Sequence, residues 1–398
     1  MPLFSTRLAS SGRRAVGAVM LAGALAAPLA LAAAAAESWL GLQVTYADRG
    51  YAFTPWPAIE LRKVTIRTAQ EINIGRAWVT PDWAEWLTSL RTNRIKVRTD
   101  EVTATPAALA RLGTIDGKSS YKVSTLAFDR LKLRLGDGTL DLPAGEMDFA
   151  PDGTLAHVRI RMGDKLTFEA APAGDKLNVL VQAGQLKWAG LPVFLFDSVA
   201  AQGVLDDQQL VLDRIGANGD GGAVSGRLRL TLTDRYVMDG ELKLASLRAR
   251  DFLSRTYPRT TVQGDLNALV KFAGAGTTFE ELGASLTSSG TFVIKAGAID
   301  RLGLLEGMRK ASAGPAGGGL TRFETLEGGF SAPAGKPVSV SIRRMDAGAM
   351  HSSGAFVLTD DGQVRGNMSG TLRLPGGEVS TRGFSLTGKV DSPTLEVR

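Results

Sequence analysis

Apolar and polar residues alternate with a period of two along most of the chain, the pattern of strands with one buried face. A short unit recurs: Gly, any residue, Leu or Phe, any residue, an apolar residue. It appears as GTLDL from Gly138, GQLKW from Gly184, GRLRL from Gly226, GELKL from Gly240, GTFVI from Gly290, GAFVL from Gly354 and GTLRL from Gly370. Each copy reads as a turn followed by a strand with one apolar face. The spacings are uneven, which argues against a propeller or a fixed-period solenoid. The prediction is a mainly β protein, an antiparallel meander with loops of varied length.

The alternation slips by one residue in several places. Ile59 and Leu61 share one parity, and Val64 and Ile66 take the other. Leu126 and Phe128 give way to Leu131, Leu133 and Leu135, and Leu177, Val179 and Val181 to Leu186 and Trp188. A slip turns the apolar set to the opposite face unless a bulge or a turn absorbs it. Bulges bend and twist strands, so the pattern predicts a strongly curved sheet. The plainer alternative is that some slips are turns between separate strands.

Helical periodicity is rare. Thr80–Leu90, TPDWAEWLTSL, offers Thr80 as N-cap and Pro81 at the first helical position, with Trp83, Trp86, Leu87 and Leu90 on one face. A second helix is expected in the stretch that follows GTFVI. There Ile299, Leu302, Leu305 and Met308 recur at steps of three, and Arg309 and Lys310 suit the negative helix end. Residues 313–319, AGPAGGG, should then form a mobile loop.

Composition narrows the class. The 398 residues are 44% hydrophobic and 22% charged, enough for a substantial core and unlike a disordered chain. There is no Cys, so disulfides, thiolate metal sites and Cys nucleophiles are excluded. The net charge of +6 includes Arg7, Arg13 and Arg14, which precede an uncharged apolar segment, residues 15–36. As a helix that segment would span about 33 Å, against ~30 Å for a bilayer core. The preceding arginines put residues 1–14 in the cytoplasm. Small residues before Glu37 equally fit a cleaved signal peptide. Both readings send residues 37–398 outside the cytoplasm.

No motif for catalysis stands out. GANGDGGAVSG, residues 216–226, lacks the Lys-Ser/Thr of a phosphate loop and reads as a β-turn. Asp206 and Asp207 are adjacent, so on a strand they face opposite sides. His351 lies beside Ser352 and Ser353 but without an evident orienting acid or a nucleophile elbow. No cofactor, metal site or enzymatic activity is expected. Nor is nucleic acid expected as a partner, since no aromatic-basic platform is present.

Residues 290–310, GTFVIKAGAIDRLGLLEGMRK, followed by LTRFETLEGGF from Leu320, resemble the C-terminal region of the AsmA family of bacterial envelope proteins, which are of the bridge-like lipid-transfer type. Gly290, Phe292, Ile294, Gly297 and Ile299 fit the family's first strand; Thr321, Phe323, Leu326, Gly328 and Phe330 fit its second. FSLTGKVDSPTLEV from Phe384 is similar to the closing hairpin, with Gly388 and Pro393 at the expected places. FTPWPAIELRKVTI from Phe53 resembles the first strands after the membrane anchor.

The resemblance implies a long curved antiparallel sheet forming an open trough, or incomplete barrel, behind an N-terminal transmembrane helix. If a strand with its turn takes about 16 residues, residues 37–398 give about 22 strands and a trough about 100 Å long. The competing arrangement is two sheets packed as a sandwich. The expected organisation is a cytoplasmic start (1–14), an anchor or signal peptide (15–36), an N-terminal β region with a short helix (37–120), a β meander (121–284) and an AsmA-like C-terminal region (285–398). The expected location is the bacterial inner membrane, single pass, with the bulk in the periplasm. The expected role is in cell-envelope biogenesis, with phospholipid acyl chains held in the trough and outer-membrane or other envelope proteins as further partners. The candidate lining is Leu186, Trp188, Leu228, Leu230, Leu242, Leu244, Phe292, Ile294, Phe356, Leu358, Leu372 and Leu374. The alternative role is a periplasmic scaffold or assembly factor for outer-membrane proteins that carries no lipid.

Overall fold

A computed structural model describes residues 43–398, apart from 54–56, 69, 90–92, 115–121, 137, 164, 189–193, 256–259, 310–313 and 317. The apolar segment 15–36 lies outside the described residues. Among the described residues no helix is long and apolar enough to cross a membrane. The protein is mainly β with few short helices.

The chain divides into two compact units, and the division falls inside the stretch 121–284. The first runs to Val179 and takes back Val204–Gln208; the second holds Leu180–Gly203 and Gln209–Arg398. The first unit contains β1 (Gln43–Thr45), β2 (Asp48–Phe53), β3 (Pro57–Arg67), β4 (Glu71–Pro81), helix α1 (Trp83–Ser89), β5 (Arg94–Thr99), β6 (Val102–Ala104) and helix α2 (Pro106–Arg111). It continues through β7 (Lys122–Phe128), β8 (Leu131–Leu135), β9 (Gly138–Leu142), β10 (Gly145–Phe149), β11 (Leu155–Met162) and β12 (Leu166–Ala173). Strand β13 (Lys176–Trp188) carries the chain into the second unit and β14 (Phe194–Leu205) brings it back.

The second unit follows with β15 (Gln209–Gly219), β16 (Gly222–Leu232), β17 (Tyr236–Arg248), helix α3 (Ala249–Ser254), β18 (Val262–Gly276), helix α4 (Phe279–Ala284) and β19 (Thr287–Asp300). Helix α5 (Leu304–Arg309) and β20 (Gly314–Ala316) precede β21 (Leu320–Ala332), β22 (Val338–Ala347), β23 (Met350–Leu358), β24 (Val364–Arg373), β25 (Val379–Lys389) and β26 (Ser392–Val397).

The parity slips have two causes. In β3, Ile59, Leu61, Val64 and Ile66 are all buried because Lys63 adopts φ 50° and turns the strand between the two sets. Ser246 (φ 55°) does the same between buried Leu244 and Leu247, and Ala296 (φ 48°) between Ile294 and Ile299. The cost of a left-handed non-Gly residue is offset by burying both apolar sets. The slip after Phe128 is instead a turn between β7 and β8.

The recurrent glycines are strand residues rather than turns. Gly290 and Gly354 lie inside β19 and β23, and Gly226, Gly240 and Gly370 inside β16, β17 and β24. Two of them stand opposite a phenylalanine, Gly240 opposite Phe272 and Gly290 opposite Phe330, as do Gly328 opposite Phe292 and Gly366 opposite Phe356. At Gly240, Gly290 and Gly328 the ring reaches the space a Cβ would fill. A Cβ on Gly240 would sit 2.3 Å from the Phe272 ring, and one on Gly328 2.6 Å from the Phe292 ring. This is aromatic cover of a bare strand position.

Three further expectations are corrected. Thr80 and Pro81 belong to β4, and the first helix begins at Trp83, because both residues pair with β5. Ile299 belongs to β19, and α5 begins only at Leu304. Gly314–Ala316, expected as loop, forms β20 and pairs with Leu395–Val397 of β26. The meander is also not wholly antiparallel, since β5 pairs β7 and β6 pairs β8 in parallel. The glycine-rich stretch 216–226 is a hairpin: Gly219 pairs Gly222 around Asp220 and Gly221, both with positive φ, as a two-residue type I′ turn requires.

Candidate functional site

From β15 onward the second unit is a run of antiparallel neighbours, in the order β15–β16–β17–β18–β19–β21–β22–β23–β24–β25–β26–β20. The sheet rolls until its parts meet. Leu302, just past β19, bridges Gly318, and the Arg301 Nη1 donates to the Asp391 carbonyl in the β25–β26 turn at 2.7 Å. Helix α5 fills one part of the roll. Leu304 and Met308 are buried with Met345, Met350 and Phe384. The corner is pinned by the buried Thr321 hydroxyl, which accepts from the Leu304 amide at 3.0 Å and donates to the Leu302 carbonyl.

The rest of the roll encloses a groove of about 910 Å³. That lies at the upper end of the ~300–1,000 Å³ usual for ligand pockets. Its walls are Leu244 on β17, Leu266 and Val270 on β18, Phe292 and Ile294 on β19, Leu326 and Phe330 on β21, Val340 and Ile342 on β22, Phe356 and Leu358 on β23, and Val364 and Met368 on β24. Phe252 and Leu253 of α3 add to the lining. Phe292 and Phe330 are members of the Gly–Phe pairs, and their rings lie against Gly328 and Gly290 opposite them.

Of the residues expected from sequence, Leu244, Phe292, Ile294, Phe356 and Leu358 line this groove. Leu242 is half-buried against the same core. Leu372 is buried but outside the lining, and Leu228 and Leu230 are half-buried outside it. Leu374 follows β24 and is 37% exposed. The side chains of Leu186 and Trp188 lie outside the described residues. The sequence reading named no lining residue on β18, β21 or β22, although it placed Leu326 and Phe330 on a strand, because these strands do not follow the Gly-x-Leu unit. Their signal is plain alternation, as in Leu266, Ala268 and Val270, or Val338, Val340 and Ile342.

The polar chemistry elsewhere is structural. Asp346 accepts from the His351 Nδ1 at 2.7 Å, supplying the acid partner that was not evident in sequence. Hydrogen bonds from Arg344 and then His351 hold the Asp346 carboxyl below the usual range. Ser352 is buried, and Ser353 pairs with Ser369, so no hydroxyl meets the imidazole. Asp206 binds Lys176 while Asp207 accepts from the Ala107 amide, two separate tasks. Among the described residues no three His, Asp or Glu side chains gather as a metal site. Compared with known proteins, the chain matches no family model, no curated protein and no solved structure.

Proposed function

We propose that this chain is a cell-envelope protein of the AsmA type whose second unit holds phospholipid acyl chains in its groove. The observation that carries this reading is the apolar groove itself, about 910 Å³, with the Phe292 and Phe330 rings set against glycines. An apolar wall of that extent facing water is unfavourable, and each methylene buried against it contributes about 0.8 kcal/mol. In this reading the segment 15–36 tethers the chain to the inner membrane or is cleaved, and the described residues face the periplasm. The mechanism is passive: acyl chains lie along the wall and the headgroup stays at the polar end.

The test is mass spectrometry of organic extracts of the purified full chain. Near-stoichiometric phospholipid is the expected result. Ala332→Trp, which places a ring in open groove space, should lower bound lipid several-fold without lowering the melting temperature, since unfilled volume is available. A lipid-free, well-folded protein would sink the proposal and favour a scaffold that binds protein partners along its sheet edges.

A further inference from the structure

Nearly all polar side chains of the groove gather at one end. Thr260, Thr261, Asp360, Asp361, Lys389 and Asp391 come from three separate segments. Backbone contacts tie these together. The Val390 amide donates to the Gly362 carbonyl at 2.9 Å, and Gln363 bridges Lys389. The Asp300 amide donates to the Thr261 carbonyl at 2.9 Å, next to Arg301 with its bond to the Asp391 carbonyl. The Thr359 hydroxyl donates to Asp361, holding that carboxyl below the usual range. Apart from Ser288, the remaining lining side chains are apolar. The groove is thus amphipathic, with a backbone-framed mouth at which Asp360, Asp361 and Lys389 are exposed.

Among the described residues, the mouth lining sets three carboxylates against the Lys389 ammonium, with the Arg301 guanidinium held on the Asp391 carbonyl beside it, so acid still exceeds base. That balance repels a headgroup with only negative charge. It suits one that carries an ammonium beside its phosphate, with the ammonium among the carboxylates and the phosphate toward Lys389. A quaternary ammonium has no N–H to donate and is held by aromatic faces, best by Trp and Tyr. Among the described residues the lining has no Trp or Tyr, and its phenylalanines, Phe252, Phe292, Phe330 and Phe356, belong to α3 and to the apolar walls of the sheet and not to the segments that carry the polar groups. Carboxylates and threonine hydroxyls instead match a primary ammonium, which has three donors.

We propose that the groove selects a glycerophospholipid whose zwitterionic headgroup ends in a primary amine, the phosphoethanolamine class. This selectivity rests on the reading of the groove as an acyl-chain site.

The full chain would be loaded from vesicles containing equal parts phosphatidylethanolamine, phosphatidylcholine and phosphatidylglycerol with matched acyl chains, and its bound lipid counted by mass spectrometry. Phosphatidylethanolamine should be enriched roughly three- to ten-fold over phosphatidylglycerol, the range expected of one or two solvated charge contacts. The Asp360→Asn/Asp361→Asn variant should lose the enrichment. Both residues sit on an exposed turn, and a melting curve checks that the variant is folded; the wild-type competition decides the matter even if it is not. Equal uptake of the three lipids, phosphatidylcholine bound as well as phosphatidylethanolamine, enrichment of phosphatidylglycerol, or enrichment kept by a folded variant overturns the headgroup inference and leaves the acyl groove standing. Absence of bound lipid overturns both.

Discussion

The two units use the same strand alternation to opposite ends. In the first, the space among Val44, Leu61, Val64, Ile74, Ala77, Val79, Ile95 and Val97 is only about 10 Å³, scarcely room for one water. Its buried face is rich in β-branched residues, and α2 is pressed against it with Ala108, Leu109 and Ala110 buried. In the second, leucines, methionines and phenylalanines predominate, and glycines stand opposite several of the rings. Stiff branched side chains pack to a solid interior. Two of the rings set against glycine, those of Phe292 and Phe330, border the open groove. What separates a closed core from a groove is therefore the residue type opposite each strand position, more than the alternation itself.

The comparison can be broken by mutation. The largest effect should come from the solid core: Leu109→Ala in α2 should cost about 3 kcal/mol, because nothing adjacent can collapse into the void. In the second unit Gly328→Ala should cost about 2 kcal/mol, since the new Cβ would stand 2.3 Å from the Ser341 carbonyl oxygen and displace the Phe292 ring. Thr321→Val strips the buried hydroxyl from the Leu304 amide and the Leu302 carbonyl and should cost about 1.5 kcal/mol, loosening α5. The groove-wall change Val340→Ala should cost less than about 1 kcal/mol, because its side chain already borders open space. Chemical denaturation measures all four. A Val340→Ala cost equal to that of Leu109→Ala would mean that the groove is packed like the core and the contrast is false.

The smallest effect is a pH dependence in the first unit. Burial pushes the Asp100 carboxyl up, but the Arg76 amide and guanidinium and the Glu101 amide outweigh it and hold it below its ordinary value. A depressed folded value means that this contribution is present above the ordinary carboxylate range and is lost as pH falls through the folded value. Wild type should therefore exceed Asp100→Asn in stability at neutral pH, with the difference shrinking below about pH 4. A constant difference across that range would remove the carboxylate from the explanation.

Much of the strand content was legible because alternation reports a two-faced environment. The slip around Lys63 marked a real left-handed kink within β3, while those at Ser246 and Ala296 show only in the structure. The glycines were misread because their partners are distant in sequence: nothing local says that Phe330 will lie across Gly290. The parallel pairs β5–β7 and β6–β8 were invisible for the same reason. Helix α2 did leave a trace in Thr105-Pro106, the N-cap and first-turn proline, with Thr105 accepting from the Ala108 amide at 3.1 Å. At six residues it is too short to show periodicity. The groove was expected only through the family resemblance, since alternation fits a packed sandwich equally well and emptiness depends on how far facing side chains reach.

The short strand β20 also bears on the order of assembly. Nearly every other strand pair in the second unit joins neighbours along the chain, so each hairpin can form as soon as its two arms exist. Pairing Gly314–Ala316 with Leu395–Val397 closes a long loop, an entropic cost that falls once the hairpins between them have formed. Until then β26 shows a bare edge to any other chain nearby. The last clasp to close is thus where misassembly into larger aggregates would begin, and a folding intermediate of this protein should be most vulnerable there.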